Sequence, residues 1–281
     1  RRDLNCDHRV RPASSPIIGG DLLFLTYDGV DQQFIAALEK ETGKTRWLKK
    51  RSYESNFEAV LKAGGVDDVE SVKKEKPGDN RKSYATPTII EHEGKKQLIS
   101  PAAEATYSYD PATGKELWFI RHKGWGWNVS SRPIYRHGLV YLTTGIGKNL
   151  VAVRPTGSGD VTETHVVWST HRGAPHIPSP LVVGDLLFTV SDQGGMATCI
   201  EAESGKQIWK ERLDGGRSHW CSPLYTDGKI YFFSKEGDVT VIAAKREFKV
   251  LARNGFDAGF IANPAIAGEA LILRAEGYLY Y

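Results

Sequence analysis

This 281-residue chain has few cysteines, no long apolar run and no strong excess of either charge. No stretch of about eighteen apolar residues occurs, so nothing in it reads as a membrane-spanning helix. Cys6, Cys199 and Cys221 make an odd count with no CxxC spacing. That pattern indicates no zinc site, and it leaves a disulfide between any one pair open but unsupported by spacing. The 37 basic and 34 acidic residues give a net charge of +3. No basic run is interleaved with aromatics in a phosphate-tracking stripe, which argues against a nucleic-acid partner. Helix-period patterns are scarce outside one segment, and that scarcity leaves an all-β chain as the fold class.

What the chain has instead is a repeat. Ala37 to Trp47 reads A-L-E-K-E-T-G-K-T-R-W, Ser108 to Trp118 reads S-Y-D-P-A-T-G-K-E-L-W, and Cys199 to Trp209 reads C-I-E-A-E-S-G-K-Q-I-W. Each copy is a small residue, then [ST]-G-K, then a Trp ten residues after the small one. Gly after Ser or Thr supplies the positive φ of a short hairpin turn, and the small residue leaves room for the indole. A looser copy runs from Ala152 to Trp168 with a longer loop holding Gly157 and Gly159. A second signal keeps step. Pro16, Pro87, Pro133, Pro180, Pro223 and Pro264 each open an apolar run of about five residues that ends at a Gly-containing turn and is followed by another β-rich run. Pro as the first residue of a strand costs no ladder hydrogen bond. Four short strands per unit at a period of forty-odd residues is the pattern of a β-propeller.

The recurring S-P opening, followed by A-x-x-x-x-[ST]-G-x-x-x-W, resembles the PQQ-like, or quinoprotein-like, propeller repeat family over essentially the whole chain. Within that family it is similar to proteins related to the outer-membrane β-barrel assembly lipoprotein and to planctomycete-type repeat proteins. The resemblance implies four-stranded antiparallel blades held by Trp docking motifs. It also implies a periplasmic or exported location, although no signal peptide is visible in this chain. The quinone-dependent dehydrogenases of the superfamily carry an adjacent Cys-Cys pair against their cofactor. This chain has no such pair, so pyrroloquinoline quinone is not expected.

These signals give six blades in one domain over residues 1–281, with residues 1 to 5 expected to close the last blade as its fourth strand. The alternative is a piece of a seven- or eight-bladed parent. Residues 51–83 form an insertion between the first two blades, read as a solvated surface excursion with a short helix over Phe57–Lys62. The fifth blade carries Lys245 to Phe248 where a docking Trp is expected.

In a propeller the loops leading into each first strand, and the hairpins between second and third strands, share one face. The loops hold His8 and Arg11; His122, Trp125, Trp127, Asn128 and Arg132; His171, Arg172 and His176; Arg217, His219 and Trp220; and Asp257. The hairpins add Asp28, Asp31, Glu104, Asp192, Glu236 and Glu276. Trp can stack on sugars or flat groups, Arg can grip carboxylate or phosphate, and His can move protons near neutral pH. The plain structural alternative is that polar residues gather in loops anyway and that Trp125, Trp127 and Trp220 fill gaps between blades. The expected function is a quinone-free ligand-binding or scaffolding module, its ligand a small molecule, a carbohydrate or a protein. The alternatives are a hydrolase at the channel mouth, for which a divalent cation is possible although no metal ligands are assigned, and a quinoprotein dehydrogenase. No catalytic residue is assigned.

Overall fold

The computed structural model describes residues 4–10, 12–54, 58, 62, 67–71, 78–122, 126 and 128–281. Each of the six prolines is followed immediately by a first strand: Ile17–Gly19 (β1), Thr88–His92 (β5), Ile134–Arg136 (β9), Leu181–Val183 (β14), Leu224–Thr226 (β18) and Ala265–Ala267 (β22). The turns that follow return the chain antiparallel. Leu22–Asp28 (β2), Gln33–Glu39 (β3) and Thr45–Lys50 (β4) complete the first sheet in the order β1-β2-β3-β4. Lys95–Pro101 (β6), Ala105–Tyr109 (β7) and Glu116–Arg121 (β8) complete the second. There Gly159–Asp160 (β12) adds a short parallel fifth strand outside β8.

The third sheet holds β9, Leu139–Thr143 (β10), Leu150–Val153 (β11) and Val166–Thr170 (β13), with the short helix Thr162–His165 (α1) ahead of β13. Leu186–Val190 (β15), Met196–Glu201 (β16) and Gln207–Arg212 (β17) follow β14, and Lys229–Phe233 (β19), Asp238–Ala243 (β20) and Val250–Gly255 (β21) follow β18. The last sheet has three strands among the described residues: β22, Ala270–Ala275 (β23) and Tyr278–Tyr280 (β24). The sheets therefore hold four, five, four, four, four and three strands, in an all-β chain of antiparallel sheets.

The hairpin repeat has a clear physical basis. Trp47 lies opposite Ala37, Trp118 opposite Ser108, and Trp209 opposite Cys199, and each pair is followed at once by a register shift. The small residue ten positions back is thus the cross-strand neighbour of the indole, and the extra residue of the bulge is the one just before each Trp: Arg46, Leu117 and Ile208. Trp47 donates its indole N–H to Pro111 O at 3.0 Å, Trp168 to Ala202 O at 2.9 Å and Trp209 to Lys245 O at 3.4 Å. Trp118 instead donates to Gln97 Oε1 at 2.9 Å, and Gln97 Nε2 reaches on to Pro155 O at 2.7 Å. Gly114, at φ +70°, lies so close beneath Trp47 that a Cβ would sit 2.6 Å from the indole.

The chain divides into two compact units, residues 1–140, 144–148 and 153–166 in one and 141–143, 149–152 and 167–281 in the other. In the first, Phe24, Ile35, Ala37 and Trp47 pack with Leu98, Ala105, Tyr107 and Tyr109. In the second, the sheet β18–β21 is buried on both faces: Ile230, Phe232 and Ile242 join one cluster, and Phe233, Val239 and Val241 join another. Each fully buried Phe, Leu or Ile contributes about 1.5–3 kcal/mol through the water it sheds.

Two expectations meet different ground. Residues 1–3 lie outside the described residues, and Leu4 is not in a strand; it packs on Phe34, Ala36 and Leu38 of the first sheet. The expected helix over 57–62 also falls largely outside, with only Glu58 and Lys62 described, 2.8 Å apart as an ion pair. The end of the 51–83 segment is not solvated: Asn80, Lys82 and Ser83 are buried, and Ser83 bridges to Asp28 and to Val129. Burial is possible there because backbone partners on both sides replace water.

Candidate functional site

The first unit contains a cavity of about 860 Å³ bounded by the β2–β3 turn, the end of β4 and the residues after it, residues 78–81, and the β6–β7 turn. Strand alternation places its inner wall. Residues i, i+2 and i+4 of a strand share a face, so Arg51 falls on the face of the buried Trp47 as β4 ends. Its guanidinium is almost fully buried. Nε donates to Asp28 Oδ1 at 2.9 Å, Nη2 to Asp28 Oδ2 at 2.8 Å and to Ser100 Oγ at 2.9 Å, and Nη1 to Tyr109 Oη at 3.4 Å. The cation also lies over the ring of Tyr107, 5.2 Å from its centroid. Burial alone would lower the pKa of Arg51, but the carboxylate of Asp28 and the hydroxyl of Tyr109 outweigh it and raise it further, so the charge is fixed. Burial also pushes Tyr109 up to about 12, against the opposing pull of Arg51.

Tyr107 lines the cavity and accepts the Tyr53 amide at 3.2 Å. Its own O–H has no acceptor among the described residues, a buried donor beside open space. Burial raises its pKa, so it keeps that proton. Glu104 is buried in the same wall, receives Asn80 Nδ2 at 3.5 Å, and holds φ +63° at the β6–β7 turn. A non-glycine residue in that region costs about 1–3 kcal/mol and marks a position where the surroundings fix the side chain's direction. Its backbone is pinned on both sides, by Gly126 O to its amide and by the His122 amide to its carbonyl. Burial is the largest single influence on Asp31 and raises its pKa, but the hydrogen bonds it accepts, the amides of Asp7 and Gln32 among them, together outweigh burial and hold its carboxyl below the usual range. Arg81 crosses from residues 78–81 to Gln33 Oε1 and Val30 O.

Of the side chains singled out in the sequence, Glu104 and Asp31 line this cavity and Asp28 supports its floor; the other described ones are not on its lining. Trp125, Trp127 and Arg11 lie outside the described residues. His8 is buried against Tyr84, ring centroids 4.7 Å apart, with Nε2 3.4 Å from Ser83 O. His122 is enclosed between Thr106 Oγ1 at 2.8 Å and Gly126 O at 3.3 Å, and burial lowers its pKa to about 4. Asn128 adopts φ +55°, and Arg132 donates to Thr88 Oγ1 at 2.9 Å from an exposed position.

In the second unit Asp192 is buried, receives the His176 amide on Oδ1 at 3.3 Å, and accepts the His219 amide on its carbonyl at 3.2 Å. His219 is buried, and its pKa falls to about 4 because burial outweighs Glu236 and Asp238. Glu236 accepts the Ser218 amide at 3.2 Å, and Lys235 lies 3.8 Å over the half-exposed ring of Trp220. Arg172, Arg217 and His171 are exposed. Among the described residues no three His, Cys, Asp or Glu are grouped to hold a metal ion, and no helix is long and apolar enough to cross a membrane. Sequence reading missed Arg51, Ser100, Tyr107 and Tyr109. The available signal was parity, since Arg51 falls on the face of Trp47.

A family profile described as outer membrane protein assembly factor BamB matches residues 157–247. No curated relative matches the chain. Among solved structures, BamB from Moraxella catarrhalis superposes with a TM-score of 0.65 at 14% identity, over 94% of this chain and 71% of that one. A europium-containing methanol dehydrogenase gives 0.60 at 11%, over 88% of this chain and 51% of its own. The quinohemoprotein alcohol dehydrogenase of Comamonas testosteroni gives 0.59 at 12%, over 89% and 44%. The chain thus spans about half of the dehydrogenases it resembles. At these identities the likeness is one of fold, that of the β-propeller proteins among which BamB stands.

Proposed function

We propose that the chain is a binding propeller without a bound quinone, whose ligand occupies the cavity beside Arg51, Tyr107 and Glu104. The observation that supports it is the buried Tyr107 in the wall of a space of about 860 Å³, in the upper part of the range of small-molecule sites (~300–1,000 Å³), its O–H without an acceptor among the described residues. A ligand acceptor would add a hydrogen bond, worth about 0.5–1.5 kcal/mol net, to the one that hydroxyl already accepts from the Tyr53 amide. The hairpins with opposed Trp and small residues are read as the docking pieces of six blades in one propeller, the scaffold that holds the cavity walls. The quinone-free reading rests on the lack of an adjacent cysteine pair. The test is a thermal-shift and ligand-observed NMR screen of a soluble-metabolite panel. Binders should lose at least several-fold in affinity in Tyr107→Phe and in Glu104→Gln. Binders indifferent to both substitutions, or none at all, would overturn the proposal.

A second reading, a scaffold for a protein partner in an exported or periplasmic compartment, is supported by the likeness to BamB, whose description is that of an assembly factor. Ile261, Ile266 and Leu279 in the second unit are exposed apolar side chains of the kind protein interfaces cover. A photo-crosslinker at position 266 should then trap one dominant protein, and Ile266→Asp should abolish that adduct; equal trapping from an exposed polar position would remove this reading.

A further inference from the structure

We infer that the ligand of this cavity is a neutral saccharide of more than one ring; the inference rests on the reading of the cavity as a ligand site and names the class of its occupant. The first argument is charge. Arg9, Lys50 and Arg81 on the lining are matched by Asp31, Glu54 and Glu104. The remaining cation, Arg51, is cancelled by the two Asp28 oxygens at 2.9 and 2.8 Å behind it. Among the described residues the charges of the lining and of Asp28 behind it balance, which gives no net pull toward either a phosphate ester or a polyamine.

The second argument is the kind of polar group. The described wall holds residues with donors (the Tyr107 O–H and the Arg81 and Lys50 cations) beside residues with acceptors (the carboxylates of Asp31, Glu54 and Glu104). A carboxylate or phosphate accepts and does not donate, and an ammonium donates and does not accept. A hydroxyl does both, so a ligand rich in hydroxyls satisfies a mixed wall that a simple ion leaves half unmet. The third is the aromatic surface. Tyr53 is partly buried, its ring 6.2 Å from that of Phe119, and Tyr107 and Phe34 join it on the lining. An aromatic face packs against the C–H side of a sugar ring while the hydroxyl edge meets the polar groups. The fourth is size, since about 860 Å³ exceeds what one ring fills.

The experiment is isothermal titration of the whole chain with four probe sets: neutral oligosaccharides of glucose, galactose, mannose and N-acetylglucosamine; uronic-acid oligomers; sugar phosphates; and free amino acids. A neutral oligosaccharide should bind, with affinity little changed between low and high salt. Tyr53→Ala should weaken it about 10-fold through lost stacking, while its backbone amide still meets Tyr107. Tyr225→Ala, an exposed ring of the second unit, should leave it unchanged. Glu54→Lys, at an exposed rim position, keeps the experiment decisive if Tyr53→Ala folds poorly: reversing that charge weakens or spares a neutral saccharide and tightens an anion.

The outcomes separate the two readings. A neutral saccharide lost in Tyr53→Ala supports both. A uronate, phosphate or amino acid lost in Tyr53→Ala, or any ligand tightened by Glu54→Lys, overturns the saccharide and keeps the cavity as a ligand site. A saccharide indifferent to Tyr53→Ala and Glu54→Lys removes this cavity as its site, and no binding by any probe removes the inference.

Discussion

Arg51 illustrates how a single side chain can set the character of this region. Its charge is buried, bidentate on Asp28 and shared with Ser100 and Tyr109, so every strong partner it has lies in one direction. Removing Asp28 leaves a buried cation uncompensated, which costs about 3–5 kcal/mol, whereas replacing both partners by apolar groups of similar size is close to neutral. Urea unfolding of Asp28→Ala should show that loss, and the double substitution Asp28→Leu with Arg51→Met should recover most of it; equal losses in both would mean the pair contributes through packing alone. The two buried histidines set a pH dependence of definite sign. His122 and His219 are held at about 4 in the folded chain by burial, against about 6.5 when unfolded. Above pH ~6.5 both states are neutral and their stability contribution is complete. As pH falls towards 4 the unfolded chain takes protons first, and stability drops by about 1.4 kcal/mol per pH unit for each group. Melting followed from pH 7.5 to 4.5 should fall in the parent and fall less in His122→Gln with His219→Gln. Parallel curves would assign the acid sensitivity to carboxylates.

At the scale of the element, the hairpin repeat was legible because its determinants are local. A proline opens each first strand, a glycine closes each turn, and a Trp needs a small residue across the ladder; the last two are written within eleven residues and the first about twenty residues ahead of them. What local pattern could not show is which backbone the indole would find. Trp118 turns to Gln97 of its own sheet, and Gln97 passes the link on to Pro155, whereas Trp47 reaches Pro111 directly. The glycine beneath the indole makes the contact testable. At Gly114 a Cβ would lie 2.6 Å from Trp47, while at Gly94, also left-handed at φ +75°, a Cβ would meet nothing within 4 Å. Gly94→Ala should therefore cost only the backbone strain, about 1 kcal/mol, and Gly114→Ala should cost at least about 1–3 kcal/mol more through displacement of the ring. The comparison is read from denaturation midpoints with Trp fluorescence as the probe. Equal costs would show that Trp47 yields without loss and that its fit to the turn contributes little.

For the molecule as a whole, sequence pattern picked out loop and hairpin residues but not the cavity that three of them help to build. Glu104, Asp31 and Asp28 could be picked out from hairpin position, but the cavity needs two sheets and residues 78–81 brought together, and no spacing along the chain encodes that meeting. His8 and His122 are buried loop anchors, because a loop that folds inward must satisfy its own carbonyls and an imidazole beside a backbone oxygen does so. The cysteines provide a reporter for how far each unit opens. Burial raises Cys199 and Cys221 to about 12 and, with help from Asp31, Asp28 and Asp7, raises Cys6 to about 11. Thiolate is the reactive form, so all three should be slow toward a thiol reagent at neutral pH. Cys6 belongs to the first unit and is half-buried, so small local openings should label it before the main transition. Cys199 and Cys221 belong to two clusters of the second unit that meet on opposite faces of β18–β21, so neither cluster can open without stripping the sheet that supports the other. Labelling at increasing urea should give these two thiols one shared midpoint, at higher urea than Cys6. Labelling of Cys221 well before Cys199 would instead show that β22–β24 open as a separate element, with β18–β21 left as the edge of what stays folded.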